Sequence, residues 1–198
     1  MNLRASLSKF IPRILFPLIK DRKDFCVLKG CVLFADLAGF TNLTENLTSI
    51  GKEGAEELTK ILNSFFERMI DIILESGGDV VRFGGDAMTI FFPFSAEKAL
   101  KTSLILQKEC LNFQNVHTKA GNFSLGMKIG VSYGDVTLGI VGNKETGFDY
   151  FASGDALDRS AEAEHHAQKG EVLVHPECSS LIDETRFNLI KTKDGFLK

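Results

Sequence analysis

The sequence predicts an α+β fold, with a mixed, mostly antiparallel sheet and helices packed on one face. Three observations carry this. The run CVLFAD at 31–36 is apolar and β-branched enough for a buried strand. Leu43, Leu47, Leu58, Ile61, Leu62, Phe65, Phe66, Met69, Ile70 and Ile73 recur at helical spacing. DVVRFGGDAMTIFFP at 79–93 reads as two short strands turning at Gly84-Gly85. Helices that interleave with antiparallel pairs, rather than with single parallel strands, give this class.

The elements follow in order. Residues 1–24 form an arm, and residues 25–198 a single domain. The arm contains FIPRILFPLI at 10–19, which is apolar but too short to span a bilayer and interrupted by Pro12, Arg13 and Pro17. No small-residue cleavage site follows it, so it does not read as a signal peptide. A packed arm is the favoured reading, and a helix in weak contact with a membrane surface or docked on a partner is the alternative.

The charged turn DRKD leads into the first strand. Gly51 and Gly54 divide the long helical tract, and Gly77-Gly78 ends it. After the glycine hairpin, 95–116 reads as a helix with Leu100, Leu104, Leu106 and Leu111 on its apolar side. LGMKIGVSYGDVTLGIVG at 125–142 reads as a second pair of strands turning near Gly134-Asp135. DYFAS is a short strand, 154–168 a helix ended by Lys169-Gly170, EVLVH a strand, and RFNLI a further strand.

Composition narrows the function. The chain has 198 residues, 44% hydrophobic and 25% charged. A chain of this length buries roughly 70% of its unfolded surface and needs no disulfide or metal staple. The formal charge is −3, with 23 basic against 26 acidic residues and no long run of one sign. Non-specific nucleic-acid binding, which needs a basic face, is therefore not expected. Cys26, Cys31, Cys110 and Cys178 show no C-x-x-C spacing and read as reduced thiols of a cytoplasmic protein.

Two aspartates stand out. Asp36 ends an apolar strand, where an ionised carboxylate needs a reason to be, and Asp86 lies at the tip of the hairpin. In a ferredoxin-like arrangement these strands are neighbours, so the two carboxylates converge. Such a pair repels unless a cation or proton holds it, and hard oxygen ligands favour Mg²⁺. Between Asp36 and the helix, Leu-Ala-Gly-Phe-Thr forms a tight turn whose backbone N–H groups suit phosphate. Together these outline a two-metal phosphoryl-transfer site.

The strings FADLAGFTNL at 34–43, GGDVVRFGGDAMTIFF at 77–92 and IGVSYGDVTLGIVG at 129–142 resemble the class III nucleotidyl cyclases. SGDALDRSAEAEHHAQKGEVLVH resembles that family's closing helix and strand. The resemblance runs over about 25–190 and is nearest to the first catalytic half of soluble adenylyl cyclase-type proteins. It implies a ferredoxin-like cyclase fold, two Mg²⁺ (or Mn²⁺) ions and ATP as substrate. It makes Asp36 and Asp86 the catalytic metal aspartates, adds the Leu37 backbone to the metal shell, and gives triphosphate to Gly39, Phe40 and Thr41. Arg82 falls at the base-reading position, four residues before Asp86. A pure donor there bonds adenine N1, which favours ATP over GTP. The GGDEF hairpin of diguanylate cyclases is also similar, but Ala87 stands where its Glu belongs.

Class III sites form between two halves, and the second half supplies an Asn and, four residues on, an Arg. The resemblance puts Asp158 and Glu162 at those positions and Phe151 at the second base-reading position. An arginine on developing phosphoryl charge is worth about 10³ to 10⁵ in rate in comparable transfers. A homodimer is therefore expected to be a poor cyclase, and the chain to need a complementary half, in trans or on a longer chain. A surface pair between Arg159 and Glu162 is expected on the closing helix. The alternative function is a non-catalytic cyclase-homology module that regulates or dimerises.

Overall fold

The computed structural model describes residues 11–143, 145, 147–182 and 186–198. The first ten residues of the expected arm lie outside this set. The arm continues as a 3₁₀ turn, Arg13–Leu15, and a short helix α1 (Phe16–Asp21) that ends on Arg22 in the left-handed region, φ 53°.

A six-stranded sheet organises the chain. Strand β1 (Phe25–Ala38) lies at its centre, flanked by the hairpin of β2 (Asp79–Gly84) and β3 (Ala87–Pro93) on one side and by β6 (Gly126–Asn143) on the other. The order is β2-β3-β1-β6-β7, with β7 spanning Gly147–Ser153. The remaining strand of this sheet, β8 (Val172–Val174), runs parallel to β6 beside Ile129–Val131. A small separate hairpin joins β4 (Val116–Thr118) to β5 (Gly121–Phe123).

Alternation along β1 separates two cores, because successive side chains of a strand point to opposite faces. Cys31, Leu33, Ala35 and Leu37 face the helices α2 (Phe40–Ser49), α3 (Lys52–Glu75) and α4 (Ala96–Cys110). Leu43 and Leu47 of α2, Phe65, Met69 and Ile73 of α3, and Leu106 of α4 are fully buried there. Val32 faces the other way, into a second cluster with Val81, Phe91, Val136 and Leu138. Leu15 and Leu18 of the arm and Ala156 of helix α5 (Asp155–His166) close that cluster. The expected helical layer is thus α2–α4, and the arm and α5 rest on the opposite face.

Several local expectations change. Residues 126–143 form one unbroken strand, not a hairpin, and Phe25–Ala38 pairs along its length with Gly139–Gly126. Gly134 meets Ala156 of α5 rather than making a turn, with a Cβ there 3.3 Å from that side chain. Helix α4 stops at Cys110, a 3₁₀ turn takes Leu111–Phe113, and Val116 begins β4. Leu104 and Leu111 are more than half exposed, 53% and 58%. Leu100 and Leu106 are buried as expected, and the buried face is completed by Ala99, Thr102, Ser103 and Cys110. Residues 186–190 form no strand. Ile190 and Lys198 exchange backbone hydrogen bonds of 3.0 and 2.9 Å, while Leu197 bridges to Val174 of β8. All four cysteines are free thiols, as expected.

Candidate active site

Register brings the two aspartates together. Asp36 of β1 stands directly opposite Ala87 of β3, and Asp86 is the residue before Ala87. The β2–β3 connection is a two-residue turn, Gly85-Asp86, since Gly84 pairs with Ala87. Gly85 takes φ +67°, the first central position that a glycine fills at no steric cost. Burial pushes the Asp86 carboxyl above its usual range. Its own backbone N–H and the Lys128 ammonium oppose the shift, and the charge of Asp36 adds to it. The two carboxylates therefore sense each other.

A third residue, missed in the sequence, completes the group. Lys128 of β6 is the cross-strand partner of Asp36 on the side away from β3. Its Nζ lies 3.4 Å from Asp36 Oδ2 and bonds Glu164 Oε1 of α5. Burial alone would lower the Lys128 ammonium, but its contacts with Glu164 and Asp36 outweigh that and hold it above its ordinary value. Its signal in the sequence was a lone basic residue in an apolar strand, which gains meaning only once the register with β1 is known. Among the described residues, no cluster of three or more His, Cys, Asp or Glu side chains could hold a metal.

After Asp36 the strand runs on to Ala38, and Gly39 turns the chain into α2 with φ +95°. A Cβ at Gly39 would lie 2.5 Å from the Ser124 carbonyl oxygen. Leu43 N–H donates to Gly39 O, and no side chain caps the first turn, which leaves the N–H groups of Phe40 and Thr41 without partners inside the helix. Phe40 packs against the core and Thr41 is exposed. Leu37 turns its side chain into the core, so only its backbone borders the carboxylates.

Arg82 is exposed on β2, just beyond a bulge at Val80–Arg82, and stands opposite Thr89. Tyr150 of β7 is within its electrostatic reach. Burial and the charges of Asp149 and Asp79 raise the Tyr150 phenol, against the pull of Arg82.

The profile of the Adenylate and Guanylate cyclase catalytic domain matches residues 27–198. The chain belongs to that family. Adenylate cyclase type 10 of Rattus norvegicus is 27% identical over 181 residues, which cover 88% of this chain and 11% of that protein. An adenylate cyclase of Anabaena cylindrica is 28% identical over 138 residues, 67% of this chain and 26% of that protein. The chain thus spans only a small part of these curated relatives. An adenylyl cyclase structure from P. aeruginosa is similar with a TM-score of 0.65 and 25% identity, covering 84% of this chain and 85% of that one. A bacterial light-regulated adenylyl cyclase shares the fold at a TM-score of 0.74 and 23% identity, over 98% of this chain and 58% of that one. A guanylyl cyclase structure shares it at 0.65 and 23%, over 88% and 91%. The fold is common to both activities and does not by itself select the base.

The three residues that the sequence resemblance puts at complementary positions lie on α5 and β7. Asp158 and Glu162 are exposed on α5, and Phe151 is 40% exposed on β7. The expected Arg159–Glu162 pair is not formed. The segment after β8 runs along α5 and offers each a partner of its own: Arg159 bonds Glu177 at 2.8 Å, and Glu162 lies 3.4 Å from His175 Nε2.

Proposed function

We propose that this chain is the metal-bearing half of a class III adenylyl cyclase, converting ATP to cyclic AMP and pyrophosphate when a partner half supplies the Asn and Arg. The observation that carries it is the pairing of Asp36 with Asp86 beside an uncapped helix turn. The donors are all hard oxygens, two carboxylates and the Leu37 backbone, and their mutual repulsion calls for a cation, which fits Mg²⁺ or Mn²⁺. Bound there, two such ions would activate the ribose 3′-hydroxyl and stabilise charge on the α-phosphate and the leaving pyrophosphate.

The chain's own residues would do the rest. The N–H groups of the Gly39-Phe40-Thr41 turn would receive triphosphate oxygens. Lys128 would place a positive charge beside them. Arg82 would donate to adenine N1, which is an unprotonated acceptor, whereas guanine N1 carries hydrogen. In this reading residues 1–24 serve as an arm attached to the catalytic half. Among the described residues no helix is long and apolar enough to cross a membrane.

A second reading, a non-catalytic cyclase-homology module, is favoured by Asp158, Glu162 and Phe151, which lack the chemistry of the complementary half. One experiment separates the two. The chain is mixed with a cyclase half that carries the Asn and Arg, and cyclic nucleotide is assayed from ATP and from GTP. Cyclic AMP that disappears with Asp36→Ala supports the enzyme. Silence from both substrates, without metal-dependent ATP binding, supports the module.

A further inference from the structure

We infer that Lys128 is a built-in competitor for the divalent cation at Asp36 and Asp86, and that Glu164 sets the strength of that competition by holding its ammonium. The inference rests on the reading of these two aspartates as metal ligands. Its basis is a shared cation: one ammonium lies 3.4 Å from Asp36 Oδ2 and also bonds Glu164. The side chains of Asp36, Lys128 and Glu164 are 28%, 28% and 10% exposed, so water screens them only in part.

Each position is fixed by backbone. Asp36 and Lys128 are opposite residues of β1 and β6, which sets their side chains on one face. Gly130, two residues along β6, lies against α5 so closely that a Cβ would overlap the Ser160 carbonyl and the Glu164 backbone. Glu164 is therefore held at a set height above the strand. An ammonium against Asp36 neutralises charge that a metal would use and repels the incoming cation. An ammonium drawn to Glu164 leaves Asp36 free. Glu164 is accordingly a positioning residue, acting on the metal through Lys128.

The test is direct binding of Mn²⁺ to the nucleotide-free chain, read by electron paramagnetic resonance and calorimetry rather than by turnover. Lys128→Met is expected to tighten binding about tenfold, and Glu164→Gln to weaken it about threefold or more. Lys128→Arg, which keeps the charge, is expected to stay near wild type. In the double variant the Glu164 effect should vanish, because no ammonium remains to be held. Unchanged or weaker binding in Lys128→Met, with the fold intact by circular dichroism, overturns the competition. A Glu164 effect that persists without Lys128 overturns the positioning role. If Asp36→Ala binds Mn²⁺ as well as wild type does, it is the metal assignment that fails. If wild type binds none, binding that appears in Lys128→Met supports strong competition, and its absence there overturns both.

Discussion

The Asp79 carboxylate, at the start of β2, accepts the backbone N–H of Ile14 at 2.8 Å and so pins the arm to the sheet. Burial pushes this carboxyl above its usual range, against the N–H of Ile14 and the charge of Arg13. With a raised folded value the folded chain keeps a proton that the unfolded chain has released. The contribution of Asp79 to stability therefore falls as pH rises from the ordinary carboxylate range through the raised value. Asp79→Asn removes this titration. Its stability relative to wild type, measured by urea unfolding, should rise as pH climbs above the ordinary carboxylate range of about 4. Asp79→Ala deletes the acceptor as well and should cost about 1–3 kcal/mol.

Gly39→Ala is expected to be costly at the turn. The replacement meets both a left-handed backbone, φ +95°, and the Ser124 carbonyl oxygen 2.5 Å away. A loss of about 1–3 kcal/mol in chemical denaturation is expected. ATP binding, measured by calorimetry, should weaken even under conditions where the variant is fully folded.

Gly130→Ala should lift α5 from β6, since the new methyl would occupy the space of the Ser160 carbonyl. A cost of about 1–3 kcal/mol or more follows from overpacking. Faster amide exchange confined to α5 and β6 would show that the helix has lost its seat rather than that the whole fold has loosened.

On the proposed reading, Asp158→Asn with Glu162→Arg supplies the complementary Asn and Arg, and it removes the contact between Glu162 and His175. Homodimer turnover of ATP should rise about 10³-fold over the wild-type chain if Phe151 tolerates the base. A flat result in a variant shown to dimerise would mean that the base pocket, not the phosphate contacts, limits the site.

Much of this was legible in the chain itself. The strand at 31–36, the glycine hairpin and the helical period of α3 rest on local patterns, and local patterns determine such elements. The convergence of Asp36 and Asp86 followed from their places on adjoining strands. What failed was the meaning of glycine in β6. Gly134 read as a turn residue, yet it and Gly130 let a helix approach the strand. On α4, Leu100 and Leu106 were placed correctly but Leu104 and Leu111 were not, because Thr102 and Ser103 take the buried face, their hydroxyls each donating at 2.7 Å to carbonyls of the preceding turn. Lys128 escaped notice because its importance comes from a partner 92 positions away in the chain, at Asp36.

Strand β6 has one neighbour, β1, from Gly126 to Gly139, and two in succession on its far edge, β8 and then β7. Lys128 sits near one end and Ile140, the partner of Tyr150, near the other. Because no turn interrupts the strand, there is no joint between these ends to absorb a displacement. The partner of Tyr150 and the residue beside Asp36 therefore belong to one continuous strand. The base-side and metal-side ends of the proposed site share a single backbone, in the strand where Gly134 had suggested a break.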